Sequence, residues 1–576
     1  MSGTLRDLFE NEYDREGFRT CSVTGLEIHR SAEVFVKLFG LTAVIALVVG
    51  GIFATTVALT RWELIGLIGE FDGYYVHLSL HAWNILIFWM VFMEIAILYV
   101  GGPMVLGRRL PITKVAGLGW ATMVVGAIGV NVSIWRMGPT GDAPLLTAYV
   151  PLEVSQWFYA SAIVFLLGAT IAALPFFLTI WRETRQSSGS LPLVTFGAFI
   201  TSIIAFEAIL GGLAAFGYAL SWRIGLIGSI DVGLYRHLYW IVGHGTQQIN
   251  LVAMVTVWYF LTHVVGGAVV VSEKVSRTAF ILYLFFINLG AAHHLMVDPG
   301  LSVGWRVWNT SYAFYGAAFA SLIHAFAIPA GLEAGRRRRG LGGGLFGWLT
   351  GAPWRNPVFS SVIFSIILFG FVGGITGVLM GQIQLNMTWH NTFATVGHFH
   401  GTVALGTTLA FMGLIFFVIK TMFRRDFVSD RLASAIPYAY AGAFGIAVMM
   451  MIYAGILYGV PRRTSSVVEE IPGTTFSLSA AAPFMNVFGI FAVLAILAGV
   501  LFVLVAVGSI LFGEPLADGD DGGLLPEGEF RTDGGESIHA IDMRGTFGIC
   551  LIFMATFVLL YVLNWFLLTQ LWSIGQ

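Results

Sequence analysis

The stretch Gly397-His398-Phe399-His400-Gly401 places two histidines inside a long apolar run. That run extends from about Thr392 to Ile419, and roughly 20 residues are enough for a helix to cross a bilayer. Residues two apart on a helix point about 200° from each other around the axis, so we expect His398 and His400 to face opposite sides. One membrane helix could thus hold two cofactors, one on each flank. Ionisable residues inside a membrane are costly and are functional candidates, although a pair of hydrogen-bonded core histidines is the plainer alternative.

The composition is that of a membrane protein. Of the 576 residues, 57% are hydrophobic and 11% are charged, and the mean hydropathy is +0.82. A soluble globular chain carries about 25% charged residues. The period-2 alternation of a membrane barrel is absent. We therefore predict one all-α polytopic membrane bundle with about 13 transmembrane helices joined by short loops. The predicted spans are 31–60, 75–101, 112–135, 152–181, 191–220, 234–266, 278–299, 308–333, 357–381, 391–419, 434–460, 480–513 and 546–572.

The chain divides into an N-terminal arm, residues 1–30, and a transmembrane catalytic domain, residues 31–576. The first span lacks a small-residue cleavage site, so we expect it to stay in the mature protein. A Gly- and acid-rich stretch, 513–544, predicts a mobile cytoplasmic loop within the domain. Most arginines and lysines, including the run Arg336–Arg339, fall in loops on the same side of the membrane as the N-terminus. The positive-inside rule then puts the N-terminus inside and the C-terminus outside a prokaryotic cytoplasmic membrane. An arginine run at the end of a membrane helix indicates topology rather than nucleic-acid binding, so we expect no nucleic-acid partner.

Only two cysteines occur, Cys21 and Cys550, at opposite ends of the chain. Neither a disulfide nor a CxxC metal site nor a CxxCH heme attachment follows from them. Any cofactor must therefore be held by other ligands, and histidine is the obvious source.

The second span carries His77 and His81 on one helix face, four residues apart. Such a pair could bind a metal by itself. More often one histidine is the ligand and the other is a hydrogen-bonded neighbour, and His81 lies deeper in the span. Two carboxyl groups also fall within spans, Glu94 in the second and Glu207 in the fifth. For Glu207, a neutral hydrogen-bonded acid and a role in proton delivery remain equally open.

The sixth span places His244 and Gln248 one turn apart on the same face. The seventh ends in the adjacent pair His293 and His294, followed by Pro299 and Gly300. Adjacent helical residues diverge by about 100°, so both rings could lean toward one ion if the helix end is loosened. Three imidazoles with an open position suit a redox metal such as copper or iron.

Further candidates flank the membrane helices at the outer surface. His390 precedes the tenth span, and Arg462 and Arg463 follow the eleventh in the sequence Val460-Pro461-Arg462-Arg463. Two arginines of this kind can clamp carboxylates through bidentate hydrogen bonds.

Taken together, the runs HHLMVDPG, HN before GHFH, and VPRR resemble subunit I of the heme-copper oxidases, and the B-type oxidases in particular. This resemblance covers nearly the whole chain. It implies that His81 and His400 are the axial ligands of a low-spin, b-type heme. It also implies that His398 is the proximal ligand of a high-spin b- or a-type heme, and that one non-heme metal, copper or iron, faces that heme. The ligands implied for the non-heme metal are His244, His293 and His294, and the residues implied to neutralise heme propionates are His390, Arg462 and Arg463.

One position departs from the oxygen-reductase pattern. B-type oxidases carry a tyrosine four residues after the first metal histidine, where this chain has Gln248. A second oxidase class places its tyrosine six residues before the histidine pair, where this chain has Ile287, and Tyr283 fits neither pattern. The tyrosine supplies an electron and a proton for splitting dioxygen, which glutamine cannot do.

Coupling two nitric oxide molecules needs only two electrons and two protons, and nitric oxide reductases of this superfamily lack the tyrosine. Known members place a glutamate at the position of Gln248. The resemblance therefore implies an atypical nitric oxide reductase, with catalytic residues Gln248, His244, His293, His294 and His398. Gln248 as a merely structural residue is the simpler alternative.

Two other functions stay open. A terminal oxygen reductase, similar to cytochrome c oxidase, would need an unrecognised radical site. In its favour, Tyr259 matches a proton-channel tyrosine of B-type oxidases. Later positions of that channel, around Ser321 and His324, match only in part. An ion transporter with histidine sites would show inverted repeats, and we find none. The chain encodes neither a dinuclear copper domain nor a heme c motif, so a partner subunit carrying one of these, or a quinol, must deliver electrons.

Overall fold

The computed structural model describes residues 8–62, 73–137, 143–287, 289–464, 478–525 and 543–571. Long helices dominate these residues, and twelve of the described helices are long and apolar enough to cross a membrane. The predicted all-α polytopic fold is thereby confirmed. The helices of ten or more residues are α1 (Arg30–Arg61), α2 (Tyr74–Met104), α3 (Thr113–Met137), α4 (Gln156–Gln186), α5 (Leu193–Arg223), α6 (Val232–Gly266), α7 (Glu273–Leu282, continued by a π-helical turn Tyr283–Ile287), α8 (Val303–Arg338), α9 (Pro357–Met380), α10 (Phe393–Phe423), α11 (Asp430–Tyr458), α12 (Ala482–Phe512) and α13 (Arg544–Leu571). Two shorter helices are Gly347–Thr350 and Ile383–Trp389.

The seventh predicted span differs from a single long helix. Helix α7 begins earlier than predicted, at Glu273, because Ser272 caps it by accepting a hydrogen bond from the Val275 N–H. The chain around the two histidines forms a separate 3₁₀ turn, Ala291–Leu295, rather than the end of an α-helix. The histidine pair therefore lies on a short, tightly wound segment.

Residues within Met1–Val257, Leu414–Ile436 and Val493–Gly522 form the first of two compact units. Its N-terminal arm forms a small antiparallel hairpin of β1 (Phe18–Thr20) and β2 (Glu27–His29). Arg19, next to the hairpin's first residue, donates two hydrogen bonds of 2.9 Å to the buried Glu33 carboxylate and one of 2.7 Å to the Thr421 carbonyl. Lys37 pairs with the same carboxylate at 3.4 Å. This ion cluster ties the arm to α1 and to the end of α10.

Helices α3 and α4 of this unit pack at very short range. A Cβ atom at Gly126 would lie 2.4 Å from the Phe165 backbone nitrogen, and one at Gly119 would lie 2.4 Å from the Ala172 nitrogen. Gly168 makes the reciprocal approach to Met123. Small residues of this kind let helix backbones approach closely in membranes, where dispersion contacts drive association.

The second unit comprises residues within Trp258–Gly413, Pro437–Ala492 and Gly523–Gln576. Ser365 of α9 links its neighbours, since its hydroxyl accepts a 2.7 Å bond from Trp258 Nε1 and donates one of 2.6 Å to the Gly406 carbonyl. Glu333 of α8 caps α13 by accepting from the Thr546 N–H and hydroxyl, both at 2.7 Å. Of the predicted cytoplasmic loop 513–544, residues 526–542 lie outside the described residues.

We expect Gly126→Ala to destabilise the first unit, because the added methyl group meets the backbone of α4 rather than a side chain that can move. Overpacking of this kind costs about 1–3 kcal/mol. The measurement is the melting temperature of the purified protein by intrinsic fluorescence. Gly217→Ala on α5 is the matched control, since nothing lies within 4 Å of the position that its methyl group would take. Equal melting temperatures for the two variants would contradict the close packing.

Candidate heme and metal centre

His398 lies at the end of the α-helical first part of α10 and contacts α9. Its Nδ1 is 3.0 Å from the Thr376 hydroxyl oxygen. That hydroxyl donates its own proton to the Val372 carbonyl at 2.6 Å, so it can only accept from His398. The Nδ1 of His398 is therefore the protonated nitrogen, and Nε2 carries the lone pair that can bind a metal.

His400 begins the π-helical second part of α10, His400–Thr408. Its Nδ1–H donates to the Val396 carbonyl at 2.8 Å, and its ring meets the edge of Phe444 on α11 at 5.7 Å. His398 and His400 thus contact different helices, α9 and α11. This arrangement agrees with the prediction that the two rings leave α10 on different sides.

The two histidines of α2 make different contacts. His81 donates from Nδ1 to the Gly50 carbonyl of α1 at 3.0 Å. His77 places its Nδ1 2.7 Å from the Thr56 hydroxyl and stacks on Trp135. Both rings are thus hydrogen-bonded through Nδ1 to α1, and His81 stays the predicted heme ligand.

Three further histidines are the candidates for the non-heme metal, His244 in the first unit and the pair His293 and His294 in the second. His244 is buried on α6, while the other two rings lie 4.2 Å apart on the 3₁₀ turn. His293 donates from Nδ1 to the Gly290 carbonyl at 2.6 Å, which directs its Nε2 lone pair away from its own backbone.

Arg462 and Arg463, the arginines predicted to bind carboxylates, lie in a segment of the second unit that backbone hydrogen bonds hold in place. The Arg462 N–H donates to the Asn391 carbonyl at 2.7 Å, and the Phe393 N–H donates to the Val460 carbonyl at 2.7 Å. These bonds fix the arginine segment beside the residue that follows His390. The Arg462 guanidinium lies 5.5 Å from the centre of the Phe399 ring, between the two histidines of α10 in sequence. Arg463 follows directly in the same segment.

Gln248 is half-buried one turn after His244 on α6. The tyrosines available to an oxygen reductase lie elsewhere. Tyr259 is fifteen residues after His244 on the same helix, roughly 22 Å at 1.5 Å per residue. Its hydroxyl is 2.9 Å from Ser276 and 3.1 Å from His324 Nδ1. Tyr283 stacks on His324 and donates to Ser321 at 2.9 Å.

Comparison with known proteins identifies the family. The model for "Cytochrome C and Quinol oxidase polypeptide I" matches residues 34–501. Cytochrome c oxidase subunit 1 of Thermus thermophilus is 30% identical over 470 residues, which cover 78% of this chain and 81% of that protein. The chain belongs to the heme-copper oxidase subunit I family. Cytochrome c oxidase subunit 1 of Bacillus subtilis is more distant, 24% identical over 60% of this chain and 54% of its own length.

A solved structure of a heme-copper terminal oxidase dimer shares the fold. It superposes with a TM-score of 0.78 at 22% identity and covers 94% of this chain and 92% of its own. By its family, the chain is a membrane oxidoreductase of the heme-copper oxidase type, whose subunit I binds hemes and a copper or other metal centre.

The imidazoles of this chain fit such cofactors. His81, His293, His398 and His400 each direct Nδ1–H at a backbone carbonyl or at a hydroxyl whose proton is already donated. This hydrogen bond fixes the tautomer in which Nε2 has the lone pair, and metal-ligating histidines are normally held in this way. The donor set is all-imidazole, which suits heme iron and copper.

Two positions that support these rings were missed in the sequence. Thr376 was not singled out because a threonine in an apolar span has many ordinary uses. Gly50 was also missed; its carbonyl is the partner of His81 Nδ1, and a Cβ there would lie 2.6 Å from the Ile85 side chain. The paired glycines Gly50 and Gly51 were the only local signal.

We expect His294→Ala to lose the non-heme metal, because the two remaining imidazoles would bind a metal ion much more weakly than three. The measurement is the non-heme metal content. It is the total copper and iron found by elemental analysis, after the heme iron found by the pyridine hemochrome assay has been subtracted. His263→Ala is the control: His263 lies on the same helix as His244, but its Nδ1 bonds the Ala268 carbonyl at 2.7 Å. A full metal complement in purified His294→Ala would exclude the cluster as the metal site.

Proposed function

We propose that the chain is the catalytic subunit of a nitric oxide reductase, converting nitric oxide to nitrous oxide and water. The observation that carries this proposal is Gln248, one turn after His244, where oxygen reductases of this type have a tyrosine. Unlike a tyrosine, an amide has no hydroxyl group that can give up an electron and a proton. Its oxygen can bind a metal and its N–H can donate a hydrogen bond, and both roles suit binding of a nitrogen oxide.

The balance of the reaction fits this site. Two nitric oxide molecules, two electrons and two protons give nitrous oxide and water, so no amino-acid radical is required. A high-spin heme and a second metal, when bound, would supply the two electrons. The residues of the chain then have the tasks of holding the metals, binding substrate and moving two protons.

Within this proposal the histidines have distinct roles. His81 and His400 would hold the low-spin heme, and His398 would hold the high-spin heme. His244, His293 and His294 hold the non-heme metal, for which copper and iron are both compatible with three imidazoles. The 4.2 Å between the ring centres of His293 and His294 and the fixed tautomers of His81, His398 and His400 support this assignment. His390, Arg462 and Arg463 neutralise the heme propionates, and the backbone bonds that fix the arginine segment support that role.

The proposed setting is a prokaryotic cytoplasmic membrane, with the N-terminal arm and the loop 513–544 inside and the C-terminus outside. Residues 31–576 form the catalytic domain. Electrons enter from a partner subunit with a dinuclear copper or heme c centre, or from a quinol. Relatives named cytochrome c oxidase and probable quinol oxidase support either kind of donor.

A terminal oxygen reductase is the second candidate. The names of the relatives favour it, since several are cytochrome c oxidases. The difficulty for an oxygen reductase is the source of the fourth electron that splitting dioxygen requires, since Gln248 cannot supply it. Tyr259 and Tyr283 are hydrogen-bonded around His324, and Tyr259 is roughly 22 Å along α6 from His244, too far to act as a neighbour of the metal.

The experiment that separates the two candidates measures both substrates on one sample. The purified complex is supplied with an artificial electron donor, and nitrous oxide formation from nitric oxide is followed anaerobically beside oxygen uptake. We expect nitrous oxide formation to exceed oxygen uptake at least tenfold. Oxygen uptake as fast as nitrous oxide formation would favour the oxidase.

We expect substitutions at the two heme positions to have different spectra. His81→Ala should remove the low-spin, bis-imidazole absorption and leave the high-spin heme, whereas His398→Ala should abolish the high-spin signal and turnover. The measurement is the reduced-minus-oxidised optical spectrum with electron paramagnetic resonance. His77→Ala is the matched control on the same helix face, and it should keep both hemes. An intact bis-imidazole spectrum in His81→Ala would overturn the assignment on α2.

We expect Gln248→Ala to lower nitric oxide turnover about tenfold while both hemes remain. Loss of one interaction worth about 1.4 kcal/mol in the transition state produces a change of that size. Gln248→Glu should keep part of the activity, since glutamate retains an oxygen ligand. Unchanged turnover in Gln248→Ala would show that Gln248 has only a structural role.

A further inference from the structure

A small cavity lies within the second unit, between α9, α11 and α13. Its volume is about 30 Å³, whereas one water molecule needs about 10–15 Å³. One or two water molecules therefore fit. Most of the lining is aliphatic or aromatic, but four of the lining side chains also carry a hydrogen-bonding group: Thr376, Trp389, Tyr453 and Asn564.

Asn564 of α13 has a polar atom that requires a partner in this cavity. The side chain is 5% exposed, and its Nδ2–H donates to the Leu560 carbonyl at 2.7 Å, which identifies the nitrogen and the oxygen of the amide. The buried Oδ1 has no hydrogen-bond partner among the described residues. Lipid tails have no hydrogen-bond donors and a buried acceptor without a donor is costly, so the donor must come from the cavity.

The cavity cannot close around this oxygen, because its walls already touch elsewhere. A Cβ atom at Gly455 of α11 would lie 2.0 Å from the Ala394 backbone nitrogen of α10. A Cβ atom at Gly397 of α10 would lie 2.5 Å from the Ile452 side chain of α11. Ala394 and Ile452 both line the cavity. The two helices are thus as close as their backbones allow, and the space beside Asn564 persists.

Thr376 of α9 connects this cavity to His398. It lines the cavity, and its hydroxyl accepts from His398 Nδ1 at 3.0 Å while it donates to the Val372 carbonyl at 2.6 Å. A hydroxyl oxygen has two lone pairs, so one remains after the bond from His398. A donor in the cavity can use that second lone pair.

We propose that one or two water molecules occupy this cavity and link Asn564 Oδ1 to the Thr376 hydroxyl by donating a hydrogen bond to each. Water is small enough and has two protons to donate, and buried waters make about three hydrogen bonds to otherwise unsatisfied groups. Tyr453 and Trp389 supply further polar groups in the lining.

The proposed water also acts on His398. An oxygen that accepts two hydrogen bonds holds each of them less strongly, so water at Thr376 weakens the bond from His398 Nδ1–H. The partner of that N–H sets how basic the metal-binding nitrogen is. Asn564 is therefore a positioning residue that acts on His398 through water and Thr376. This step rests on the proposed heme role of His398; the water site does not.

The water site is tested on the holoenzyme by cryo-electron microscopy at a resolution that shows ordered water. We expect density about 2.5–3.0 Å from Asn564 Oδ1 in the wild type. Asn564→Asp, whose neutral acid keeps a carbonyl oxygen, should retain this density, and Asn564→Leu should lose it. Thr556→Val is the matched control on α13, since Thr556 bonds the Ile552 carbonyl of its own helix and does not line the cavity. An empty cavity in the wild type, or a protein donor bonded directly to Asn564 Oδ1, would overturn the proposal.

The link to His398 is tested by resonance Raman spectroscopy of the reduced protein. The Fe–His stretching band of a high-spin heme rises in frequency as the hydrogen bond from Nδ1–H becomes stronger. We expect Asn564→Leu to raise this frequency, and Asn564→Asp and Thr556→Val to leave it at the wild-type value. An unchanged band in Asn564→Leu would contradict the link.

The two measurements separate the water site from the proposed function, because neither depends on turnover. Absence of an Fe–His band in the wild type would overturn the heme role of His398 and the link with it. The density beside Asn564 would still decide the water site. An optical spectrum like that of the wild type verifies that each variant is folded.

Discussion

The hydrogen bond from imidazole Nδ1–H to an acceptor of the protein is the interaction on which the candidate site depends. In a membrane interior no water is present to satisfy that N–H, so an acceptor must come from the chain. The Gly50 carbonyl serves His81 and the Val396 carbonyl serves His400. His398 uses the Thr376 hydroxyl, whose own proton is committed to a carbonyl. Each bond both removes a desolvation cost and selects the nitrogen that can bind a metal.

Irregular backbone is the second requirement of this site. Helix α10 changes from α to π geometry at His400, and the pair His293 and His294 lies on a 3₁₀ turn rather than on α7. Departures from α-helical geometry in helices are frequent at functional sites, because they redirect side chains without breaking the span. In this chain they occur at His400, at the pair His293 and His294, and three residues after His81, where Asn84–Trp89 is π-helical.

Much of the fold could be predicted from the sequence, because long apolar runs in a bilayer have few alternatives to helices. The histidine positions were also readable, since ionisable residues stand out in such runs. The same signal could not identify the partners of those histidines: Thr376 and Gly50 are ordinary residues for a membrane helix, and their importance arises only from contacts between helices. The 3₁₀ turn at His293 was equally hidden, although Pro299 and Gly300 indicated that the helix would end nearby. Glu94 is predicted as a carboxyl within a span, and only the structure distinguishes it from Glu207: Glu94 is buried on α2, whereas Glu207 is half-buried on α5.

A two-electron reaction completed without a tyrosine is the central claim for this site. The most direct measurement is a single-turnover experiment, in which the fully reduced protein is mixed anaerobically with nitric oxide and nitrous oxide is quantified by rapid quench. We expect one nitrous oxide per protein within a single rapid phase, matched to the loss of two electrons. If nitric oxide stays unreduced in that time, while the same reduced sample consumes dioxygen completely, the claim is contradicted and Gln248 does not mark a nitric oxide reductase.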